Sequence, residues 1–379
     1  MSAELSAECV RPLGATALLS RGLTPGKLRG LQRLCNPNGT LTILALDQNA
    51  SMIEMATQAL RASGEDRPPS YDEIVGAKLD LCRQISPAAS GVLIDAYYGA
   101  WPAIATFAIP PERGMLVRLE MSGAPRNQAG GILGKIEPGW SVEKVKLMGA
   151  DALKLLAQFD PHEPHSAEYQ LAFVQQVYEE CRKLDLLMLL EPISYPLAGE
   201  TKNDPHVLAR KAETVIESAR QLSRYCDVFK AEFPGTLDVD SDEQVMDNLL
   251  ALSESSERPW VLLSAGVDYP QYLEQVQMSI ETGCSGVLGG RAFWKEYFQQ
   301  SGQSERTDFA ASTARNRVAE IDAMVRAHAT PWFARYGLSL EDFARVQVAE
   351  GWHARYAPHA RSAPGYETGL PTYKLGEVY

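Results

Sequence analysis

Long apolar runs are missing from this sequence of 379 residues, and no stretch approaches the roughly 20 apolar residues that cross a bilayer. The first residues, Met1–Glu8, also lack the basic and apolar regions of a secretion signal. None of the six cysteines forms a CxxC pair, so a dithiol or zinc-ribbon site is not indicated. We therefore expect a cytoplasmic protein with reduced thiols and no membrane partner.

Lysine and arginine are outnumbered by aspartate and glutamate, 36 to 48, so the formal net charge is -12 at pH 7. A sequence-independent nucleic-acid binder needs a basic face, so this class is disfavoured. An anionic substrate is not excluded, because a pocket can be locally positive. His162 and His165 lie close together, but no third metal ligand follows at a suitable spacing, and we expect both in an exposed loop.

Short apolar runs alternate with longer helix-like segments between residues 41 and 300. The runs are Leu41–Asp47, Gly91–Asp95, Met115–Glu120, Asp151–Leu156, Leu186–Glu191, Asp227–Glu232, Trp260–Ser264 and Gly286–Gly289. Continuous apolar character is typical of strands that are buried on both faces in a parallel sheet. Eight such strands in β-α order predict an α/β fold, the (β/α)₈ TIM barrel.

The barrel is expected to carry helical additions at both ends. Residues 1–40 are interpreted as an N-terminal helical and loop extension, residues 41–300 as the barrel, and residues 301–379 as C-terminal helices and a tail packed on it. Helical patterns occur at Thr24–Leu34, Pro205–Tyr225, Tyr269–Thr282, Arg315–Ala329 and Ser339–Val348. The sequence does not define the oligomeric state; a homodimer is the default that such folds suggest.

Several predicted strands end in a polar residue, namely Asp47, Asp95, Glu120, Glu191 and Ser264. In barrel enzymes the carboxyl ends of the strands surround the active site, so these side chains are expected to converge.

Lysines within two of the apolar runs are the most informative chemical feature. Burying an ammonium is unfavourable unless it is paired or neutralised, and a neutral amine is a nucleophile toward carbonyls. Lys230 is the candidate nucleophile and Glu191 a proton carrier, while Lys154 would favour the neutral amine by like-charge repulsion. Asp47 could orient substrate hydroxyls. In the simpler alternative, Lys230 reaches solvent or pairs with Glu232 on the same strand face.

The last two strands have the character of a phosphate site. Leu263–Val267 and Gly286–Arg291 place small residues and backbone N–H groups at the strand ends, where barrels commonly bind phosphate. Arg291 would supply a bidentate charge. Either segment alone could be an ordinary turn; their succession indicates a site.

These motifs, in order, resemble the class I tagatose-1,6-bisphosphate aldolase family, which also includes sulfofructose-1-phosphate aldolases. The segments that carry the likeness are Ala45–Gln48, Gly149–Lys154, Leu190–Glu191, Val228–Pro234, Leu263–Val267 and Gly286–Trp294. The resemblance implies that Lys230 forms a Schiff base, that Glu191 is the acid/base, and that Asp47 and Lys154 handle substrate. It further implies phosphate or substrate binding by Gln48, Ser264, Gly266, Gly289, Gly290 and Arg291, with no metal or other cofactor.

The function implied is cleavage of a phosphorylated ketose, foremost tagatose 1,6-bisphosphate, to dihydroxyacetone phosphate and an aldehyde such as glyceraldehyde 3-phosphate. Fructose 1,6-bisphosphate, sulfofructose 1-phosphate and a transaldolase-type transfer remain open. A sugar-phosphate binding protein without catalysis would need the phosphate cradle but not the lysines and glutamate.

Two departures from the family concern cations near the barrel mouth. Asn49 stands where the family usually has arginine after Asp-Gln, and Met121 stands where a lysine usually follows the glutamate of strand three. Both changes remove a charge that could bind the aldehyde-side anion. A C-terminal tyrosine assists proton transfer in related class I fructose-bisphosphate aldolases; for Tyr379 we expect instead a surface tail.

Overall fold

Eight parallel strands form a closed barrel within residues 15–346, which with Tyr356 are the part of the chain that this computed structural model describes. The strands are β1 (Leu41–Leu46), β2 (Gly91–Ile94), β3 (Gly114–Arg118), β4 (Ala152–Gln158), β5 (Leu187–Ile193), β6 (Val228–Ala231), β7 (Trp260–Leu263) and β8 (Gly286–Gly289). Each strand pairs with the next along the chain, and β8 closes the barrel on β1. The predicted (β/α)₈ fold is confirmed, with strand bounds shifted by at most two residues.

Helices connect the strands and surround them. They are α1 (Ala15–Ser20), α2 (Pro25–Leu34), α3 (Ala50–Ala62), α4 (Tyr71–Ile85), α5 (Trp101–Ala105), α6 (Val142–Leu147), α7 (Pro164–Lys183), α8 (Pro205–Leu222), α9 (Asp242–Ser255), α10 (Tyr269–Glu281), α11 (Arg291–Trp294), α12 (Gln303–Phe309), α13 (Arg315–His328) and α14 (Leu340–Ala344). Within residues 15–346, none of these helices combines the length and apolar character that a membrane span needs.

The last described helix is shorter than the sequence pattern predicted. A capping box between Ser339 and Asp342 begins α14, as the pattern indicates. The helix ends at Ala344, and Arg345 leaves helical geometry, so the prediction to Val348 was too long. The predicted tail, including Tyr379, lies outside the described residues apart from Tyr356.

Two hydrophobic layers follow from the alternation of side chains along each strand. One set of residues fills the barrel interior and includes Leu41, Leu116, Leu189 and Val261. The alternate residues, such as Val92, pack against the surrounding helices. The apolar residues of the barrel interior fill only part of its length. Polar side chains line the interior beyond them, toward the carboxyl ends of the strands.

The amino-terminal end of the barrel is covered. Leu31 and Leu34 of α2 belong to the same core cluster as the barrel interior, and so do Trp332 and Phe333 of a 3₁₀ turn after α13. The Trp332 N–H donates to the carbonyl of Gly39 at 2.9 Å, which ties this turn to the chain entering β1. The interior is therefore accessible from the carboxyl end of the strands.

Candidate active site

The buried side chains of Lys154 on β4, Glu191 on β5 and Lys230 on β6 meet inside the barrel. Each lies two residues beyond an inward-facing apolar residue of its own strand, and this spacing turns all three into the barrel. One carboxylate oxygen of Glu191 is 2.6 Å from Nζ of Lys230, and the other is 2.8 Å from Nζ of Lys154. A single carboxylate thus bridges two amines.

Two further carboxylates surround Lys154. Its Nζ atom lies 3.0 Å from Asp47 Oδ2 and 2.7 Å from Glu120 Oε1. Together with Glu191, these contacts occupy the three donors of the ammonium. Lys154 therefore fixes the positions of three carboxylates. Glu191 belongs to β5, Asp47 follows β1 and Glu120 follows β3.

The electrostatic balance of the cluster keeps its central groups ionised. Burial alone would raise the pKa of the Glu191 carboxyl, but the ammonium groups of Lys154 and Lys230 hold that pKa below its ordinary value. The pKa of Asp47 is likewise depressed by Lys154, Lys230 and Arg118, against the effect of its burial. For Lys154, burial acts to lower the pKa, but the surrounding carboxylates raise it above its ordinary value. At Glu120 the effect of burial outweighs that of Lys154 and Arg118, so the pKa of this carboxyl is raised.

Arg118 is a buried member of the cluster that our sequence analysis missed. Its Nη1 donates to the backbone carbonyl of Asp47 at 2.7 Å, and its Nε lies 3.9 Å from Glu120. The signal was present, because Arg118 shares strand parity with Leu116, which faces the barrel interior.

The simpler alternative for Lys230, an ion pair with Glu232, is absent among the described residues. Glu232 follows the end of β6, and its Oε2 accepts a hydrogen bond from the Ser194 N–H at 2.6 Å. Burial raises the pKa of the Glu232 carboxyl. The strand ends before Glu232, so alternation does not continue to it.

Small residues and one guanidinium lie at the ends of β7 and β8. Ala265 and Gly266 both have positive φ, at 46° and 80°, so the chain turns sharply after Ser264. A Cβ on Gly266 would lie 2.9 Å from Cζ of Arg291, so only glycine lets the guanidinium pack over this turn. The Gly290 N–H donates to Ser264 Oγ at 3.3 Å, which joins the two strand ends.

Gln48 closes the other side of this small-residue region. A Cβ on Gly290 would lie 2.8 Å from Nε2 of Gln48 and 2.9 Å from the Ala45 carbonyl oxygen. The side-chain oxygen of Gln48 is buried and has no hydrogen-bond partner among the described residues. A buried acceptor of this kind is suited to a ligand hydroxyl.

Nine of the ten predicted site residues line one cavity of about 550 Å³. The exception is Gly289, where a Cβ would meet the rings of Phe293 and Tyr272, so this position faces the helical layer. Gly289 ends β8 and follows the inward-facing Leu288, so strand alternation turns it outward.

Asp95 is the one predicted strand-end residue that does not join the cavity. Its carboxylate forms a buried ion pair with Lys78 of α4 and accepts from the Tyr98 N–H at 2.8 Å. It therefore organises the turn after β2. The Asn49 side chain binds the same ion pair, since it accepts from Lys78 at 2.9 Å and donates to Asp95 at 3.4 Å.

Lys202, on the loop between β5 and α8, also lines the cavity. It is exposed and has no ion pair or hydrogen bond among residues 15–346 and Tyr356. The sequence carries no signal for this placement, because loop residues obey no strand or helix period.

The family model of the DeoC/LacD family aldolases matches residues 41–296. The tagatose 1,6-diphosphate aldolase of Listeria monocytogenes serotype 4b (strain CLIP80459) is 30% identical over 348 residues, covering 86% of this chain and 98% of the relative. Tagatose 1,6-diphosphate aldolase 2 of Enterococcus faecalis (strain ATCC 700802 / V583) is 28% identical over 348 residues, covering 87% and 99%. Among solved structures, a fructose-bisphosphate aldolase from Plasmodium falciparum has a TM-score of 0.60 at 11% identity, covering 84% and 98%. The last likeness concerns the fold alone.

Proposed function

The chain belongs to the DeoC/LacD family of aldolases, and on that premise we propose that it cleaves tagatose 1,6-bisphosphate through a Schiff base on Lys230. The observation that carries this proposal is the contact of 2.6 Å between Nζ of Lys230 and Oε1 of Glu191. An amine that is to attack a carbonyl must lose its proton, and a carboxylate at this distance can accept it.

The reaction begins when the Lys230 amine attacks the keto carbon and forms a carbinolamine. The protonated Glu191 then returns its proton to the hydroxyl that leaves as water, which produces the iminium. The carboxylate, ionised again, accepts the proton of the C4 hydroxyl, and the C3–C4 bond breaks. Its electron pair moves into the iminium, which becomes an enamine, and the aldehyde half leaves.

The cycle closes with the donor half still bound to Lys230. The enamine takes at C3 the proton that Glu191 removed from the C4 hydroxyl and becomes an iminium again, and water adds to that iminium. Loss of the Lys230 amine then releases dihydroxyacetone phosphate. In this scheme the iminium accepts the electron pair, which is the task that a metal ion performs in other aldolases, so the steps require no metal.

The remaining site residues bind and orient. Lys154 holds the Glu191 carboxylate in place beside Lys230 and remains protonated throughout the reaction. Asp47 and the free carbonyl oxygen of Gln48 accept hydrogen bonds from substrate hydroxyls. The phosphate beside the keto group binds at Ser264, Gly266, Gly290 and Arg291, where the guanidinium has no ion pair among the described residues.

The test is borohydride reduction in the presence of dihydroxyacetone phosphate and EDTA, followed by peptide mass spectrometry. We expect a reduced adduct on Lys230, lost in Lys230→Ala and kept in Lys183→Ala, which removes an exposed lysine of α7. An adduct on Lys154 would reassign the nucleophile. If no adduct forms and EDTA abolishes turnover, the enzyme depends on a metal and the proposed mechanism is wrong.

The substrate is tested separately, with a panel of tagatose 1,6-bisphosphate, fructose 1,6-bisphosphate and sulfofructose 1-phosphate. We expect the highest kcat/KM for tagatose 1,6-bisphosphate. Binding without turnover of any of the three would favour the non-catalytic sugar-phosphate binding protein, and turnover only with an added acceptor aldehyde would favour a transferase.

A further inference from the structure

The charges that line the main cavity do not cancel. Three carboxylates, those of Asp47, Glu120 and Glu191, face five cations. Three of the cations contact these carboxylates, namely Arg118, Lys154 and Lys230. Two cations are left over, in a chain whose formal net charge is -12. Uncompensated cations in a cleft are the expected counterpart of an anionic ligand.

The two remaining cations are Arg291 and Lys202, and neither has an ion pair among the described residues. Arg291 follows β8 and lies beside the small residues of the proposed keto-side phosphate site. Lys202 lies on the loop that follows β5, the strand that carries Glu191. The two cations therefore approach the cavity from different strands.

The backbone on either side of Lys202 is fixed. Thr201 donates to both carboxylate oxygens of Asp204, from its N–H at 2.8 Å and its hydroxyl at 2.7 Å. Pro205 then begins α8. The loop thus presents the lysine at a defined position while its side chain keeps rotamer freedom.

The positions that usually supply cations in the resembled family offer none. Asn49 is neutral, and its amide is engaged by the buried Lys78–Asp95 pair. Met121 lines the cavity without charge. Among the cavity-lining cations, Lys202 alone is neither paired with a carboxylate nor part of the segments that follow β7 and β8.

We propose that Lys202 binds the anionic group on the aldehyde half of the substrate and thereby selects for a bisphosphate over a ketose monophosphate. This inference rests on the proposed aldolase function. In the proposed reaction Glu191 takes the C4 hydroxyl proton, which places C4 beside β5, and the loop that continues from this strand carries Lys202. Lys202 also borders a second chamber of about 450 Å³, which Ala265 and Arg291 line as well, and this chamber has room for the end of a six-carbon chain.

The experiment runs the reaction in the direction of aldol addition, with dihydroxyacetone phosphate as donor. D-glyceraldehyde 3-phosphate and D-glyceraldehyde serve as acceptors that differ only in the anion. In Lys202→Ala we expect the KM for the phosphorylated acceptor to rise by roughly 10- to 100-fold, the range of one charge-assisted contact. The KM for D-glyceraldehyde should rise by less than about twofold, since no anion is lost.

Two variants control this comparison. Lys202→Arg keeps the charge and should restore most of the affinity for the phosphorylated acceptor. Lys183→Ala removes an exposed lysine on α7 and should leave both KM values at wild-type level. Sulfolactaldehyde, with a sulfonate in place of the phosphate, tests whether a single negative charge suffices for the same contact.

Several outcomes would overturn the inference. Equal changes for the two acceptors would mean that Lys202 does not distinguish the anion. A higher KM for dihydroxyacetone phosphate, with acceptor KM values unchanged, would place Lys202 beside Arg291 at the keto-side phosphate. Borohydride trapping on Lys230 in the Lys202→Ala protein separates this failure from a failure of the aldolase proposal, because trapping needs no acceptor.

Discussion

The Oε1 atom of Glu191 lies 2.6 Å from Nζ of Lys230, and the opposite oxygen of the same carboxylate is held by Lys154 at 2.8 Å. The carboxylate is anchored on one side and faces the proposed nucleophile on the other. A fixed orientation of this kind removes rotamer freedom before the substrate arrives. In the proposed mechanism the cluster separates two tasks, since Lys154 holds Glu191 in place and Lys230 exchanges a proton with it.

Replacing Lys154 by methionine should move the acidic limb of the kcat/KM profile to higher pH. Burial raises the pKa of Glu191, and Lys154 is the first of the two ammonium groups that hold it down. Without Lys154, we expect the limb to shift upward by about one unit or more. Lys154→Arg keeps the charge and should keep the limb in place. A Lys154→Met protein that melts like the wild type but retains the wild-type limb would contradict the proposed role of Lys154.

Replacing Glu191 by glutamine should lower kcat by roughly 10²- to 10⁴-fold, because an amide cannot accept the C4 hydroxyl proton. Glu232→Gln is the matched control. Glu232 follows Lys230 by two residues, but its carboxylate accepts from the Ser194 N–H and has no ion pair or hydrogen bond with Lys230 among the described residues. We expect its kcat to remain within about tenfold of the wild type. Single-turnover cleavage measures both; a larger loss in Glu232→Gln would reverse the assignment.

Gly266→Ala should weaken the binding of dihydroxyacetone phosphate by about tenfold or more, because the added Cβ displaces the Arg291 guanidinium. Gly149→Ala is the matched control, since Gly149 has a φ of 87° and open space where its Cβ would lie. Both variants carry the same backbone strain, but only the first disturbs the cation. Calorimetric titration with dihydroxyacetone phosphate distinguishes them, and equal weakening would show that strain alone is responsible.

Breaking the buried ion pair between Lys27 and Asp227, at the amino-terminal end of the barrel, should destabilise the protein. Its atoms Nζ and Oδ1 are 2.7 Å apart, and Asp227 Oδ2 also accepts from the Met188 N–H at 2.9 Å. We expect Lys27→Met to lower the free energy of unfolding by about 3–5 kcal/mol, since it leaves a buried carboxylate unpaired. Urea unfolding at pH 7 measures this loss.

The exposed pair of Arg61 and Asp66 provides the comparison, with side chains that are 64% and 88% exposed. Arg61→Met should change the unfolding free energy by less than about 1 kcal/mol. Asp227 raises the pKa of Lys27 although burial opposes it, so the contribution of this lysine is complete below its ordinary value of 10.5 and is lost only as pH rises through the higher folded value. Equal losses for the two variants would mean that burial does not decide the effect.

Strand periodicity was sufficient to place the catalytic candidates. Lys154, Glu191 and Lys230 each lie on an apolar run at the parity of the barrel interior, so their convergence follows from the fold once eight parallel strands are recognised. The same rule identifies Arg118, which lies on β3 two residues after the inward-facing Leu116.

Strand periodicity did not predict the position of a side chain beyond the end of a strand, or of one that pairs with a neighbouring helix. Asp95 follows β2 but pairs with Lys78, a residue of a helix whose orientation the sequence does not specify. Gly289 and Gly290 are indistinguishable in the sequence. Gly289 faces the helical layer, whereas Gly290 lines the cavity. Lys202 belongs to a loop, where position depends on tertiary contacts and not on a repeating pattern.

Within the part of the chain that the structure describes, the barrel is covered at its amino-terminal end and open at its carboxyl end. The helix α2 and the turn of Trp332 and Phe333 close the amino-terminal side, so both products depart through the carboxyl-terminal opening. In the proposed reaction the donor half is still bonded to Lys230 when the aldehyde is set free. The aldehyde must therefore exit first, through the same opening that later releases dihydroxyacetone phosphate.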